Sequence, residues 1–170
     1  MINYDSILIN DSYVSEMTID DVKKLKPYWN MQIANYKEGA KEPVYTLLQM
    51  AIIMNKKKIV GYLLARRGLD INVLSRNNQT ALMIACEKKV PLDWIEAILK
   101  KGGDLGINMK DDYNETALDK CIFNSKAYRL LLKYGAIETN AMRLQETENQ
   151  QYNGIDSLWL NMCGCGSRCK

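Results

Sequence analysis

Three six-residue phrases recur along the chain: Thr46-Leu47-Leu48-Gln49-Met50-Ala51, Thr80-Ala81-Leu82-Met83-Ile84-Ala85 and Thr116-Ala117-Leu118-Asp119-Lys120-Cys121. The threonines stand at 46, 80 and 116, so the intervals are 34 and 36 residues. A glycine follows each phrase further along, at Gly68, Gly102 and Gly135. A period in this range marks stacked supersecondary units, none of which buries its apolar face alone. The question about function then becomes what the stacked surface binds, rather than which residues catalyse.

Each phrase is followed by a second apolar run and a glycine segment. These are Ile59-Val60-Gly61-Tyr62-Leu63-Leu64 with Gly68-Leu69-Asp70-Ile71-Asn72, Trp94-Ile95-Glu96-Ala97-Ile98-Leu99 with Gly102-Gly103-Asp104-Leu105-Gly106, and Tyr128-Arg129-Leu130-Leu131-Leu132 with Gly135-Ala136-Ile137-Glu138. The threonines can cap a first helix through their hydroxyls. The residues at Leu82, Ile84 and Ala85 would face a neighbouring unit, and the small Ala51, Ala85 and Cys121 allow close helix approach. The glycines suit a left-handed stop after a second helix.

The two-part pattern resembles the ankyrin repeat, whose phrase reads Thr-Pro-Leu-His-x-Ala followed by two short helices. The resemblance covers roughly residues 40–140. It implies an all-α solenoid of helix-turn-helix units with short finger loops and helical caps at both ends. The expected organisation is an N-terminal cap at 1–40, repeats at 41–74, 75–110 and 111–140, and a C-terminal cap with a Cys-rich tail at 141–170. No phrase keeps the Pro or His of the family, and the chain has no His at all. In the family that His ties neighbouring loops. Gln49 can replace it, Asp119 only partly and Met83 not at all, which implies a less rigid stack.

Composition agrees with a globular chain: 47% hydrophobic and 25% charged over 170 residues, the size of one domain. There is no run of 18 apolar residues, so no membrane-spanning helix is expected. Met1 to Asn10 carry Asp5 and no base, unlike a signal peptide. A net charge of +3 is too small to argue for nucleic acid. Cys86 and Cys121 read as buried small hydrophobes. Cys163, Cys165 and Cys169 crowd the end, and an odd, clustered set without a leader points to reduced thiols in the cytoplasm. Of three sequons, Asn78-Gln79-Thr80 and Asn114-Glu115-Thr116 fall inside the repeat and are explained by it; the other is Asn10-Asp11-Ser12.

Before the repeats, Thr18 and Ile19-Asp20-Asp21-Val22-Lys23-Lys24-Leu25 read as a capped helix, with acid early, base late and Pro27 as its stop. Tyr28, Trp29, Met31, Ile33 and Tyr36 then either seal the first core face or contribute Tyr28 and Trp29 to a binding site. After the repeats, a polar stretch leads to Leu158-Trp159-Leu160 and the three tail cysteines. That tail reads first as functionally silent. Zinc would need a fourth ligand. Acylation of Cys163, Cys165 and Cys169 beside these apolar residues would give a membrane-tethered scaffold, the rival reading.

Chemistry is otherwise thin. Without His there is no His-dependent triad, no phosphate loop is evident, and neither Asp20-Asp21 nor Asp111-Asp112 marks an acid–base couple. No enzyme and no cofactor are expected. The resemblance implies a binding surface on the finger loops and the end of each first helix. Matched residue by residue, it comprises Tyr45, Ile53 and Met54 in the first repeat; Arg76, Asn77, Gln79, Glu87 and Lys88 in the second; and Asp112, Tyr113, Glu115, Phe123 and Asn124 in the third. Ile53, Met54 and Phe123 are apolar where the family pattern is variable, as interface anchors are. Lys56-Lys57-Lys58, Lys88-Lys89 and Lys126 recur near the turns, either as a solvated edge or as a ridge steering an acidic partner. The expected function is binding to another protein as a stoichiometric inhibitor or adaptor. A richness in Asn, Lys, Ile and Tyr suggests a microbe or virus, where such chains serve as immunity proteins or as effectors in the host cytosol.

Overall fold

The computed structural model describes residues 11–34, 44–123 and 125–138. The chain divides into two compact units, Met1–Ala136 and Ile137–Lys170. The second is described only at Ile137 and Glu138, and every described helix lies in the first. The expected C-terminal cap, the tail cysteines and Asn124 lie outside the described residues.

The repeat phrases start helices for the reason their threonines suggest. At α3 (Leu47–Ile53) the Gln49 N–H donates to Thr46 Oγ1 at 3.3 Å, and the Thr46 N–H donates to Gln49 Oε1 at 2.9 Å. This reciprocal box satisfies two amides that the helix itself leaves open. At α5 (Ala81–Glu87) Thr80 caps Met83 N–H at 3.2 Å, and the return bond ends on the Met83 sulfur at 3.4 Å, a weaker acceptor. Leu47 to Ile52 and Ala81 to Cys86 are all buried. These two helices pack on each other. The second helices, α4 (Lys57–Leu64) and α6 (Leu92–Lys100), lie against their own first helices, and α7 (Lys126–Lys133) packs on α6. They bury one side only, Ile59, Val60 and Leu63 in α4 and Trp94, Ile95, Ile98 and Leu99 in α6.

The third phrase departs from expectation. Thr116 makes the same cap, with Asp119 N–H donating to its hydroxyl at 3.3 Å and its own N–H donating to Asp119 Oδ2 at 2.7 Å. Yet residues 117–120 form a single turn rather than a helix. Asp119 and Lys120 stand where α3 has Gln49 and Met50 and α5 has Met83 and Ile84, so this turn has less apolar surface to bury, and burial is what sustains short helices.

Two kinds of left-handed residue end the helices. Gly68, Gly102 and Gly135 have φ of 82°, 107° and 94°, as the sequence predicts. Between paired helices the turn uses Asn55 (φ 54°) and Lys89 (φ 52°) instead. The turns close through Lys56 N–H to the Ala51 carbonyl at 2.9 Å and Val90 N–H to the Ala85 carbonyl at 3.2 Å. Asn tolerates this conformation and Lys does not. Relief of about 1–2 kcal/mol of strain, less a glycine entropy cost of about 0.5–1, predicts that Lys89→Gly stabilises the fold by up to about 1.5 kcal/mol. A raised urea midpoint at unchanged slope is the expected result.

The finger loops are tight turns joined into a strip. Ser75 N–H donates to the Gln79 carbonyl at 2.9 Å and Asp111 N–H to that of Glu115 at 3.0 Å, with Asn78 and Asn114 left-handed at φ 55° and 63°. Asn78 and Asn114, two of the sequon asparagines, are thus turn residues. Arg76 N–H bonds the Val44 carbonyl at 3.0 Å, and Asp112 N–H bonds that of Asn77 at 3.3 Å. Gln49 takes the tying role read for it, donating to the carbonyls of Val73 at 2.8 Å and Gln79 at 3.1 Å. Asp119 bonds within its own phrase, as does Met83.

A further tie recurs at the opposite ends of the units. Asn30, Asn72 and Asn108 donate from their carboxamides to the carbonyls of Gly68, Gly102 and Gly135 at 2.9, 2.9 and 3.0 Å. The N-terminal segment therefore engages the first repeat as each repeat engages the next. It contributes α1 (Asp11–Glu16), α2 (Ile19–Lys24), a 3₁₀ turn at Lys26–Tyr28 containing Pro27, and β1 (Gln32–Ala34), which pairs antiparallel with β2 (Tyr45–Thr46). Trp29 is buried, its indole N–H donates to the Val22 carbonyl at 2.9 Å, and its ring meets Tyr62 edge-on at 6.3 Å. Of the two roles open to Trp29, the geometry gives it that of a core residue.

Candidate binding surface

The finger strip and the ends of α3 and α5 enclose a cavity of about 230 Å³ lined by Tyr45, Ile53, Gln79, Ile84, Glu87 and Lys88. β2 positions Tyr45, the last turn of α3 positions Ile53, and the approach to α5 positions Gln79. The buried Gln79 carboxamide donates to Glu87 Oε2 and to Asp111 Oδ2, both at 3.4 Å. Lys88 pairs with Glu87 at 3.2 Å. Burial, and then the Glu87 carboxylate, push the Tyr45 phenol up, with Lys88 pulling the other way, so the phenol stays a neutral hydroxyl that can donate. The arrangement offers an apolar floor of Ile53 and Ile84 beside a donor and a matched ion pair. Sites that bind a side chain of another molecule have this character.

Tyr45, Ile53, Gln79, Glu87 and Lys88, which the repeat pattern places separately along the sequence, thus converge on this cavity. Ile84 lines the cavity although its register assigns it to packing between repeats. Arg76, Asn77, Asp112 and Tyr113 lie along the adjoining strip. Tyr113 is 72% exposed, and Asp112 Oδ1 accepts from the Asn78 carboxamide at 2.6 Å. Met54 is not among the lining residues; it is half-buried as the C-cap of α3. Phe123 is not among the lining residues either. It is half-buried and meets Tyr128 of α7 edge-on at 5.2 Å, so it supports the third repeat. Because the third first helix is one turn, Phe123 falls after it rather than on its exposed end.

Behind the strip lies an ion pair that no sequence motif announced. Lys120 Nζ is 2.8 Å from Asp111 Oδ2 and 2.8 Å from Glu115 Oε2, and the Asp111 and Lys120 side chains are 0% and 7% exposed. Asp111 Oδ1 also accepts the Tyr113 and Glu115 amides, each at 3.0 Å. Burial alone would push Asp111 up, but Lys120 and these amides outweigh it and hold the carboxyl below its usual range. Lys120, likewise opposed by burial, is raised by Asp111 and Glu115. Among the described residues no cluster of three or more His, Cys, Asp or Glu could hold a metal, and no helix is long and apolar enough to cross a membrane.

Stacked helix-turn-helix units joined through finger loops define a repeat-type binding scaffold. The sequence matches the family described as ankyrin repeats, in three copies over residues 47–143, and the chain belongs to that family. It is also similar to a Borreliella burgdorferi protein provisionally named an ankyrin repeat protein, with 31% identity over 90 residues. That match spans 53% of this chain and 20% of the relative, so the chain corresponds to about a fifth of that protein's length. Ankyrin repeats are in general protein–protein interaction modules.

Proposed function

We propose that this chain binds a partner protein through its finger strip and the ends of its first helices, with the cavity bounded by Tyr45, Ile53, Gln79 and Lys88 at the centre of the contact. The observation that carries this reading is the convergence of these residues on one cavity with an apolar floor. The cavity suits an apolar side chain whose flanking backbone can hydrogen-bond the Tyr45 phenol or Gln79, and the exposed strip residues Arg76, Asp112 and Tyr113 extend the contact as its rim. Lys88 is already matched by Glu87, so steering of an acidic partner would fall to exposed Lys57, Lys58 and Lys126. A chain of this form acts stoichiometrically, as an inhibitor or adaptor, and an immunity protein or effector is the specific form we favour.

The test starts from a partner captured by pull-down and identified by mass spectrometry. Central anchors carry about 2 kcal/mol or more, so Ile53→Ala and Lys88→Ala should each weaken binding at least tenfold by surface plasmon resonance. Arg129→Ala, on α7, should bind as the parent does. Parent-like binding by both cavity variants, with loss in the α7 variant, would move the site off the finger side.

A further inference from the structure

A second cavity of about 230 Å³ lies at the junction of the second and third repeats, remote from the finger strip in sequence register. Its walls include Val90 and Ile95, and Lys89 and Lys126 stand among its lining residues with no carboxylate. Cys86, from the last turn of α5, and Cys121, directly after the single turn of the third phrase, both line it as free thiols. Read from the sequence both are inert core residues. Here Cys86 is 3% exposed, whereas Cys121 is only half-buried.

We propose that Cys121 is an oxidisable thiol and Cys86 its resolving partner, so that hydrogen peroxide joins the second and third repeats by a disulfide. The two thiols share this cavity across the junction, near enough for each to influence the other's ionisation. Interaction with the Cys86 thiol holds the Cys121 thiol below its ordinary range against the opposing effect of burial. The same contact, followed by burial and the like charge of Cys121, keeps Cys86 protonated. The assignment of attacking and resolving sulfur follows from exposure, since Cys121 is the half-buried thiol that peroxide can reach and Cys86 the buried one. The cavity volume exceeds the roughly 30 Å³ that a water occupies in the liquid, so a peroxide molecule has room beside Cys121.

In the first step the Cys121 thiolate, its proton lost to solvent, attacks one peroxide oxygen. The O–O bond breaks, hydroxide leaves and is protonated to water, and Cys121 becomes a sulfenic acid by two-electron oxidation. In the second step the Cys86 sulfur attacks the Cys121 sulfur. The S–O bond breaks, and the departing hydroxide takes the Cys86 proton as a second water. One peroxide is reduced to two waters as two thiols become one disulfide.

The experiment treats the reduced full-length chain with equimolar hydrogen peroxide and maps it by mass spectrometry after non-reducing digestion. A variant with Cys163, Cys165 and Cys169 changed to Ser is run beside it, so that tail thiols cannot intercept the intermediate. The expected result is a Cys86–Cys121 peptide pair lacking two hydrogen atoms in both proteins. In the same serine background, Cys86→Ser with dimedone present should accumulate an adduct at Cys121, and Cys121→Ser should give none at Cys86. Should either substitution unfold the chain, the linkage map of the parent still decides. Absence of the linked pair in both folded proteins, or dimedone capture at Cys86 instead of Cys121, overturns the proposal.

Discussion

Leu82→Ala is expected to cost about 2–5 kcal/mol, the range for deleting a buried leucine side chain when its surroundings cannot collapse into the space. Leu82 is 1% exposed in the middle repeat, and its helix α5 packs on α3 on one side and on α6 on the other. In a stack, each unit is stable largely through its neighbours, so damage in α5 loosens both its interface with the first repeat and the packing within its own. Domain stabilities of about 5–15 kcal/mol leave little margin for such a loss. Urea melts at constant slope should show it. Ile122→Ala is the comparison, since Ile122 is 58% exposed and surface changes usually fall within about 0.5 kcal/mol. A loss below about 1 kcal/mol at Leu82 would mean that the repeat register is misplaced.

That register was legible because the residues carrying it act locally. A threonine three positions before an amide or sulfur acceptor closes a cap within its own turn, and a glycine at a left-handed stop needs no distant partner. Gln49 was readable for a related reason: a long carboxamide at the fourth position of the phrase, where the family has its His, has the next loop within reach. Phe123 stands apart from the cavity because its place depends on whether the third phrase completes a helix, and that depends on how much apolar surface the turn can bury. Trp29 was ambiguous because a buried indole and an exposed anchor look alike until something is seen to cover them. The asparagine ties show the other limit. Asn72 and Asn108 lie in comparable positions, but Asn30 belongs to a segment without the repeat pattern, and only the bond to Gly68 reveals that it plays the same part.

The binding surface was partly legible. Tyr45, Ile53, Gln79 and Lys88 follow from matching positions along the repeat, because that periodicity places equivalent residues on one side of the stack. Ile84 was hidden by its dual use, being 2% exposed and yet part of the cavity wall. Cys86 and Cys121 were hidden by an offset: they stand six and five residues after their threonines, so matching positions do not pair them.

Lys120→Ala should destabilise the chain by about 3–5 kcal/mol at neutral pH, because it strands a buried carboxylate whose cation has been removed. A signal for this pair was present though not recognised. Lys120 stands at the register position held by Met50 and Ile84, and a charge at a core position requires a partner. The pH dependence has a defined sign. Asp111 is held below its ordinary value in the fold, so its contribution is present above that ordinary value and is lost as pH falls through the lowered one. Lys120 is raised, so its contribution is lost only as pH climbs through that raised value, and the pair is fully effective across the neutral range. In Lys120→Ala, burial acts on Asp111 without the opposing cation and its carboxyl moves up. Acid then neutralises the stranded group, and the gap between parent and variant should narrow as pH falls through the carboxylate range. The double variant Asp111→Asn with Lys120→Met removes both charges and should recover much of the loss, since a buried pair is often no better than an uncharged replacement. Urea melts of the three proteins at neutral and acid pH decide the matter. A loss below about 1 kcal/mol at neutral pH, or a gap that widens in acid, would show that Asp111 and Lys120 are not buried together.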